Sequence, residues 1–251
     1  MFQPRHWIWI GVLWIYYIIF AQPVSVEDIV RQSEDAIRGK TSHAVLEMKI
    51  ITPYFTRTLK LESWWAGTEK AMIIVRAPHK EAGNKTLKIG NELWNYLRNT
   101  ETVIKLPPSM LLQSWNGSDF TNDDLVRESS LVKDYQLTLL GEDVIDGVPC
   151  WKIEGIPRPE ATVVWGKIIY WVRKVDNLPA RVEYYDENSN LIRHLEYKAF
   201  QRMGKRKIPT FWVMVNDAKP GRRTEIQILD IQFDIKIPSR IFSLRELEKG
   251  R

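Results

Sequence analysis

Apolar and polar residues trade places with a period of two along most of this chain. Leu46, Met48 and Ile50 alternate with Glu47 and Lys49, and after a turn at Thr52-Pro53-Tyr54, Leu59 and Leu61 alternate with Lys60 and Glu62. A strand sends successive side chains to opposite faces, so the pattern predicts half-buried strands. It recurs over 70–77, 86–89, 93–98 and 102–106. After an interruption it resumes over 135–142, 150–156, 165–173, 181–185, 191–200, 208–215 and 224–233. The connections are short and carry turn residues such as Gly90-Asn91, Asn99-Thr100 and Asp146-Gly147. Tight turns of this kind make neighbouring strands antiparallel. Alternation defines two faces without saying which looks inward.

Two stretches break the period. At 25–38, Val26, Ile29, Val30 and Ile37 fall on one helical stripe, with Ser25 and Asp28 spaced as a cap and Gly39 as a stop. At 107–126, Pro107-Pro108 ends a strand, and Met110, Leu111, Leu112, Trp115, Phe120 and Leu125 then place large apolar groups where a hairpin would carry polar ones. Thr121 with Asp124 reads as a second cap, and Asn116-Gly117 as a tight turn. The expectation is a flap of two short helical pieces hinged at Gly117.

Roughly a dozen consecutive antiparallel strands must curl to bury their apolar faces. The predicted fold class is therefore mainly β with a few helices (α+β). It is a strongly curved antiparallel sheet or open β-barrel, covered by the N-terminal helix and the flap. With 251 residues and no linker-like stretch, residues 22–251 read as one domain.

Residues 1–21 have a short front with Arg5, an apolar run from Trp7 to Phe20, and Ala21. That is the layout of a signal peptide, either cut after Ala21 or kept as an anchor. Either way the body lies outside the cytoplasm. The single Cys150 excludes an internal disulfide and a cysteine metal cluster. The net charge of +5 is mild, although basic residues gather at Arg202, Lys205, Arg206 and Lys207 and again at Lys219, Arg222 and Arg223. These suit solvated hairpin tips or docking on anionic head groups.

The segment Gly117-Ser118-Asp119-Phe120-Thr121-Asn122-Asp123-Asp124-Leu125 resembles the hallmark of the LolA/LolB-like outer-membrane lipoprotein-sorting proteins, in an uncharacterised periplasmic branch. The likeness extends more weakly over the chain after its first two dozen residues, to a closing Ile-Pro-x-x-Ile-Phe-Ser-x-x-x-Leu at 237–247. Such proteins often have an apolar residue where Asn116 stands, which implies a wetter flap tip here. The resemblance implies a periplasmic carrier of lipoprotein or lipid acyl chains moving toward the outer membrane. It also implies transient membrane contact, an inner-membrane transporter as a docking partner, and no nucleic acid. It equally admits an accessory of an envelope exporter of hydrophobic molecules, or a lipoprotein-sensing regulator of envelope stress.

The residues themselves argue against an enzyme. There is no His-Glu-x-x-His, Cys-x-x-Cys, Gly-x-Ser-x-Gly or phosphate-binding loop, and no cofactor or metal site is expected. His43, His79 and His194 stand on separate segments, and the acidic group Asp119, Asp123 and Asp124 lacks the spacing of a calcium loop. A carrier needs instead an apolar hollow and a cover. The candidates are Met110, Leu111, Leu112, Trp115, Phe120 and Leu125 as cover, Gly117 as hinge, and Leu46, Met48, Leu59, Leu61, Trp94 and Tyr96 as lining.

Overall fold

A computed structural model of the chain describes residues 25–126, 131–161 and 163–249. The signal-like segment 1–21 lies outside them. Helix α1 (Val26–Arg38) opens the fold, and its cap is the one anticipated: the Ser25 side chain accepts a hydrogen bond from the Asp28 amide. Gly39 ends the helix at φ 69°, a left-handed position that a side chain adopts only with strain.

Thirteen strands follow among the described residues. They are β1 (Thr41–Ile51), β2 (Thr56–Ala66), β3 (Lys70–Ala77), β4 (Lys85–Ile89), β5 (Glu92–Leu97), β6 (Thr102–Lys105), β7 (Tyr135–Ile145), β8 (Val148–Pro157), β9 (Lys167–Arg173), β10 (Pro179–Tyr185), β11 (Leu191–Met203), β12 (Arg206–Asn216) and β13 (Arg223–Phe233). They form one open, strongly curved antiparallel sheet, ordered β6-β5-β4-β3-β2-β1-β13-β12-β11-β10-β9-β8-β7. Each half is the meander that the short turns predict. Their junction is not legible in local pattern: β1 leaves the helix and pairs with the last strand, so chain-distant Met48 and Ile226 stand side by side, as do Leu46 and Ile228. A bulge between Leu139 and Gly141 interrupts the pairing of edge strand β7 with β8.

The sheet has two dressed faces. On the concave one, α1 drives Ile29 and Val30 into a cluster with Tyr135, Ile153, Tyr170 and Leu195. Ser33 Oγ meets the buried Tyr170 hydroxyl at 2.7 Å. The other half of this face carries Met48, Ile50, Leu59, Leu61, Ile73 and Ile226. Segment 107–126 crosses between the halves and ends in α2 (Asn122–Val126), and α3 (Leu131–Asp134) leads into β7. Among the described residues, no helix is long and apolar enough to cross a membrane.

On the convex face, the closing segment returns along β3, β4 and β5. Phe242 and Leu247, the latter in α4 (Leu244–Glu248), bury themselves against Met72, Leu87 and Tyr96. Lys85 donates to the carbonyls of Glu246 (2.9 Å) and Lys249, tying down the end of α4. Burial pushes the Lys85 ammonium below its usual range, with the nearby Glu246 carboxylate acting in the opposite direction. Leu247 is fully enclosed. Leu247→Ala is expected to cost about 2–5 kcal/mol of unfolding free energy in denaturant titration; a loss near zero would mean that the closing segment is not part of the core.

Candidate functional site

The flap hydrogen-bonds itself into a unit. Trp115 N donates to Phe120 O (2.8 Å), Asn122 N to Gln113 O (3.0 Å) and Asp123 N to Leu111 O (2.8 Å). An isolated bridge pairs Ser114 with Thr121. At the tip Asn116 (φ 49°) and Gly117 (φ 75°) both take left-handed backbone, which reverses the chain. Gly117, the expected hinge, lies at this reversal within the hydrogen-bonded loop. The second cap forms as anticipated: Asp124 N donates to Thr121 Oγ1 (3.3 Å), and Thr121 N to Asp124 Oδ2 (2.7 Å).

Side chains fasten this unit to the sheet. Arg193 of β11, 3% exposed, donates from Nη1 to Asp124 Oδ2 (2.8 Å) and to the Asp119 carbonyl (2.9 Å), and from Nη2 to Asp124 Oδ1. Its guanidinium lies 4.6 Å from the Trp165 ring centroid and 4.7 Å from that of Tyr184. Burial alone would pull the Arg193 pKa down, but the Asp124 carboxylate more than offsets it, and the net direction is up. Burial pushes the Tyr184 phenol up to about 12, so it stays neutral.

The buried Asp119 carboxylate is a second pin. It accepts from Thr224 Oγ1 (2.9 Å), Asn216 Nδ2 (3.2 Å) and Arg222 Nε (3.2 Å). Arg57 donates to Asn116 O, Arg222 to Gly117 O (3.4 Å), and Trp115 Nε1 to Thr86 Oγ1 (3.2 Å). Asp124 caps, but Asp119 and Asp124 also hold the flap down. Their partners lie 69 to 105 residues away, beyond the reach of any local signal.

Two hollows lie beneath the flap and α1. One, about 170 Å³, is lined by Leu46, Met48, Leu61, Trp115, Phe120 and Leu125 among others, with only Ser42, Ser63 and Arg38 adding polar side-chain groups apart from the indoles. The other, about 180 Å³, is aromatic, with Tyr135, Trp165, Tyr170 and Tyr184 in its wall and Glu34 and Asp124 at its polar side. Ile37, Arg38 and Trp212 border both. Each is smaller than the roughly 300–1,000 Å³ of a small-molecule pocket.

Of the expected lining, Leu46, Met48 and Leu61 reach the apolar hollow, and Leu59 packs in the same cluster. Trp94 and Tyr96 do not. They lie on the convex face against the closing segment, because in β5 it is Leu93 that faces the flap side, with Leu106, Leu111 and Leu125. Of the expected cover, Trp115 (4% exposed), Phe120 and Leu125 close the hollow, while Leu111 packs beside it. Met110 and Leu112 (59% exposed) lie at the surface and line neither hollow. Ala44 and Trp65 were missed, although they continue the period of Leu46 and Leu61. Ile226, Ile228 and Trp212 were missed because they depend on the pairing around β13.

His43 stacks on Trp64 and meets Glu62 at 2.8 Å, and His194 meets Asp217 at 2.7 Å. Among the described residues, no group of three or more His, Cys, Asp or Glu could hold a metal ion.

Removing one member of a buried ion pair strands the other. Asp124→Ala is expected to cost about 3–5 kcal/mol and to speed amide exchange across 107–126, whereas Arg193→Met with Asp124→Leu should recover much of the stability. Unchanged exchange in Asp124→Ala would remove this pair from the fastening.

A family model described as "Uncharacterized protein" matches residues 67–249. No curated protein matches the sequence. Among solved structures, the chain is similar to a DUF1329 family protein from Desulfovibrio piger, with TM-score 0.80, 21% identity, and coverage of 88% of this chain and 97% of the other. It is similar to a putative outer membrane lipoprotein-sorting protein domain from Vibrio parahaemolyticus, with TM-score 0.75, 21% identity, and coverage of 88% and 97%. It is also similar to a LolA superfamily protein from Nitrosomonas europaea, with TM-score 0.75, 20% identity, and coverage of 89% and 100%. The chain belongs to the family described as uncharacterized protein-like, and its fold is the one found in LolA superfamily and lipoprotein-sorting domain structures.

Proposed function

We propose that this protein is a non-catalytic carrier that takes an acyl chain of a lipid or lipoprotein into the apolar hollow under the flap and delivers it across the periplasm. The observation that carries the reading is the hollow itself, about 170 Å³, walled by Leu46, Met48, Leu61 and Ile226 and shut by Trp115 and Phe120. An acyl chain of about fifteen methylenes gains roughly 12 kcal/mol on leaving water, at about 0.8 kcal/mol each. Such a molecule needs shelter to move between membranes, and apolar walls with few directional groups provide it.

The closed hollow is too small for a whole chain, so loading requires the flap to lift. Its fastening suits that step. The flap's backbone–backbone hydrogen bonds are internal, and its ties to the sheet run through side chains, chiefly Arg193, Arg222, Thr224 and Arg57. It can rise as a unit without breaking a strand ladder. The aromatic hollow beyond Trp212, with Glu34 and Asp124 at its edge, suits the polar end of an amphiphile. In this reading residues 1–21 are the export signal and 22–251 one carrier domain, loaded at an inner-membrane transporter.

Two measurements test the proposal. Mass spectrometry of protein purified from its own envelope should find co-purifying acyl lipids or lipoproteins; an empty protein that takes up no lipid would refute carriage. Ala44→Trp fills the apolar hollow from its sheet wall and should abolish uptake of a fluorescent fatty-acyl probe while circular dichroism stays native; undiminished uptake would place the cargo elsewhere.

A further inference from the structure

One end of the sheet carries an element that carriage itself does not use. The β1–β2 turn, Thr52 to Phe55, presents Tyr54 at 93% and Phe55 at 53% exposure. The turn is rigid: Thr52 N donates to Phe55 O (2.9 Å), and Thr52 Oγ1 accepts from the amides of Tyr54 (3.2 Å) and Phe55 (3.0 Å). Two aromatic rings are thus held out beyond the end of the strands.

Cations surround them. The β12–β13 turn comes against this tip closely enough that a Cβ on Gly221 would stand 3.1 Å from Pro53, and it brings exposed Lys219 and Arg223 with half-buried Arg222. On the other side Arg57 reaches Glu81 (3.4 Å) in the β3–β4 loop, next to exposed Lys80. The nearby carboxylates are engaged: Glu81 by Arg57, Asp217 by His194, Glu225 by Arg223 and Asp119 by Arg222. The same end holds the flap tip, since Arg57 and Arg222 are the residues that grip the Asn116 and Gly117 carbonyls.

A protruding rigid turn with two aromatics and no groove, ringed by Lys and Arg, matches the chemistry of a bilayer interface. Aromatic rings settle at head-group depth, and basic side chains pair with anionic phosphates. We propose that this end docks on an anionic lipid bilayer, with Tyr54 and Phe55 entering the interface and lipid phosphates drawing Arg57 and Arg222 away from the flap tip. Docking then loosens the flap where cargo is to be exchanged, which extends the carrier reading from the pocket to the surface that serves it.

The test needs no cargo, so its outcome is separable from that of the uptake assay. Lipid-free full chain is floated with phosphatidylcholine vesicles and with vesicles containing about 30 mol % phosphatidylglycerol, a strongly anionic surface. Wild type should prefer the anionic vesicles. Tyr54→Ser with Phe55→Ser should bind them about tenfold more weakly, and Lys219→Ala about fivefold more weakly. Amide exchange at 114–118 should quicken on anionic and not on neutral vesicles. Equal binding by wild type and both variants, or no anionic preference, would overturn the docking; a tip that serves a protein partner would give that result. Docking without faster exchange would overturn the release of the flap.

Discussion

β6 and β7 follow one another in the chain and stand at opposite edges of the sheet. Twelve strand spacings of about 4.8 Å separate them along the sheet, nearly 60 Å. The chain between them has about thirty residues and must cross a face to make the connection. It crosses the concave one, and that necessity creates the cover. Because β1 pairs with β13, the two meanders fuse into one wall, and the crossing segment lies over the seam that Met48 and Ile226 form. The flap is thus a product of the edge-to-edge connection, and its greasy sequence follows from the face it has to lie on.

How that segment is held decides what it can do. A cover built into the sheet by backbone ladders would be permanent, and one held by apolar contact alone would lie in many orientations. Here the apolar side chains Trp115 and Phe120 supply contact, while Asp119 and Asp124 supply orientation through Arg193, Arg222 and Thr224. Buried charge pairs contribute little net stability once desolvation is counted, yet they penalise misplacement severely. Such fastening fixes one orientation of the segment without joining it to the sheet's ladders.

The strands, their antiparallel order within each half, the capped first helix and the flap were all legible, because each is written in spacing shorter than a strand and its turn. Ser25 with Asp28 and Thr121 with Asp124 show this at single residues. What resisted reading is long-range. No local pattern tells that Leu46 will meet Ile228, that Asp119 will be gripped from the far end of the chain, or that Arg193 will be enclosed between Trp165 and Tyr184. The face of a strand is equally invisible until its neighbours are known. Leu59 and Leu61 turned toward the flap and Trp94 and Tyr96 away from it, although Lys60 separates the first pair just as Asn95 separates the second.

The interruption at Leu139 to Gly141 bears on the free border of the sheet. An open sheet ends in strands with unpaired amides and carbonyls, and a long flat border of that kind invites a second molecule to add its own strand. β7 is eleven residues long and exposes Leu139, Leu140 and Val144, so it has the composition to recruit one. The extra residue, with Gly141 at φ 128°, bends the border and breaks the even spacing that a templated partner would need. At the opposite border β6 is only four residues long. Both borders of the open sheet are in this way poor templates for an added strand.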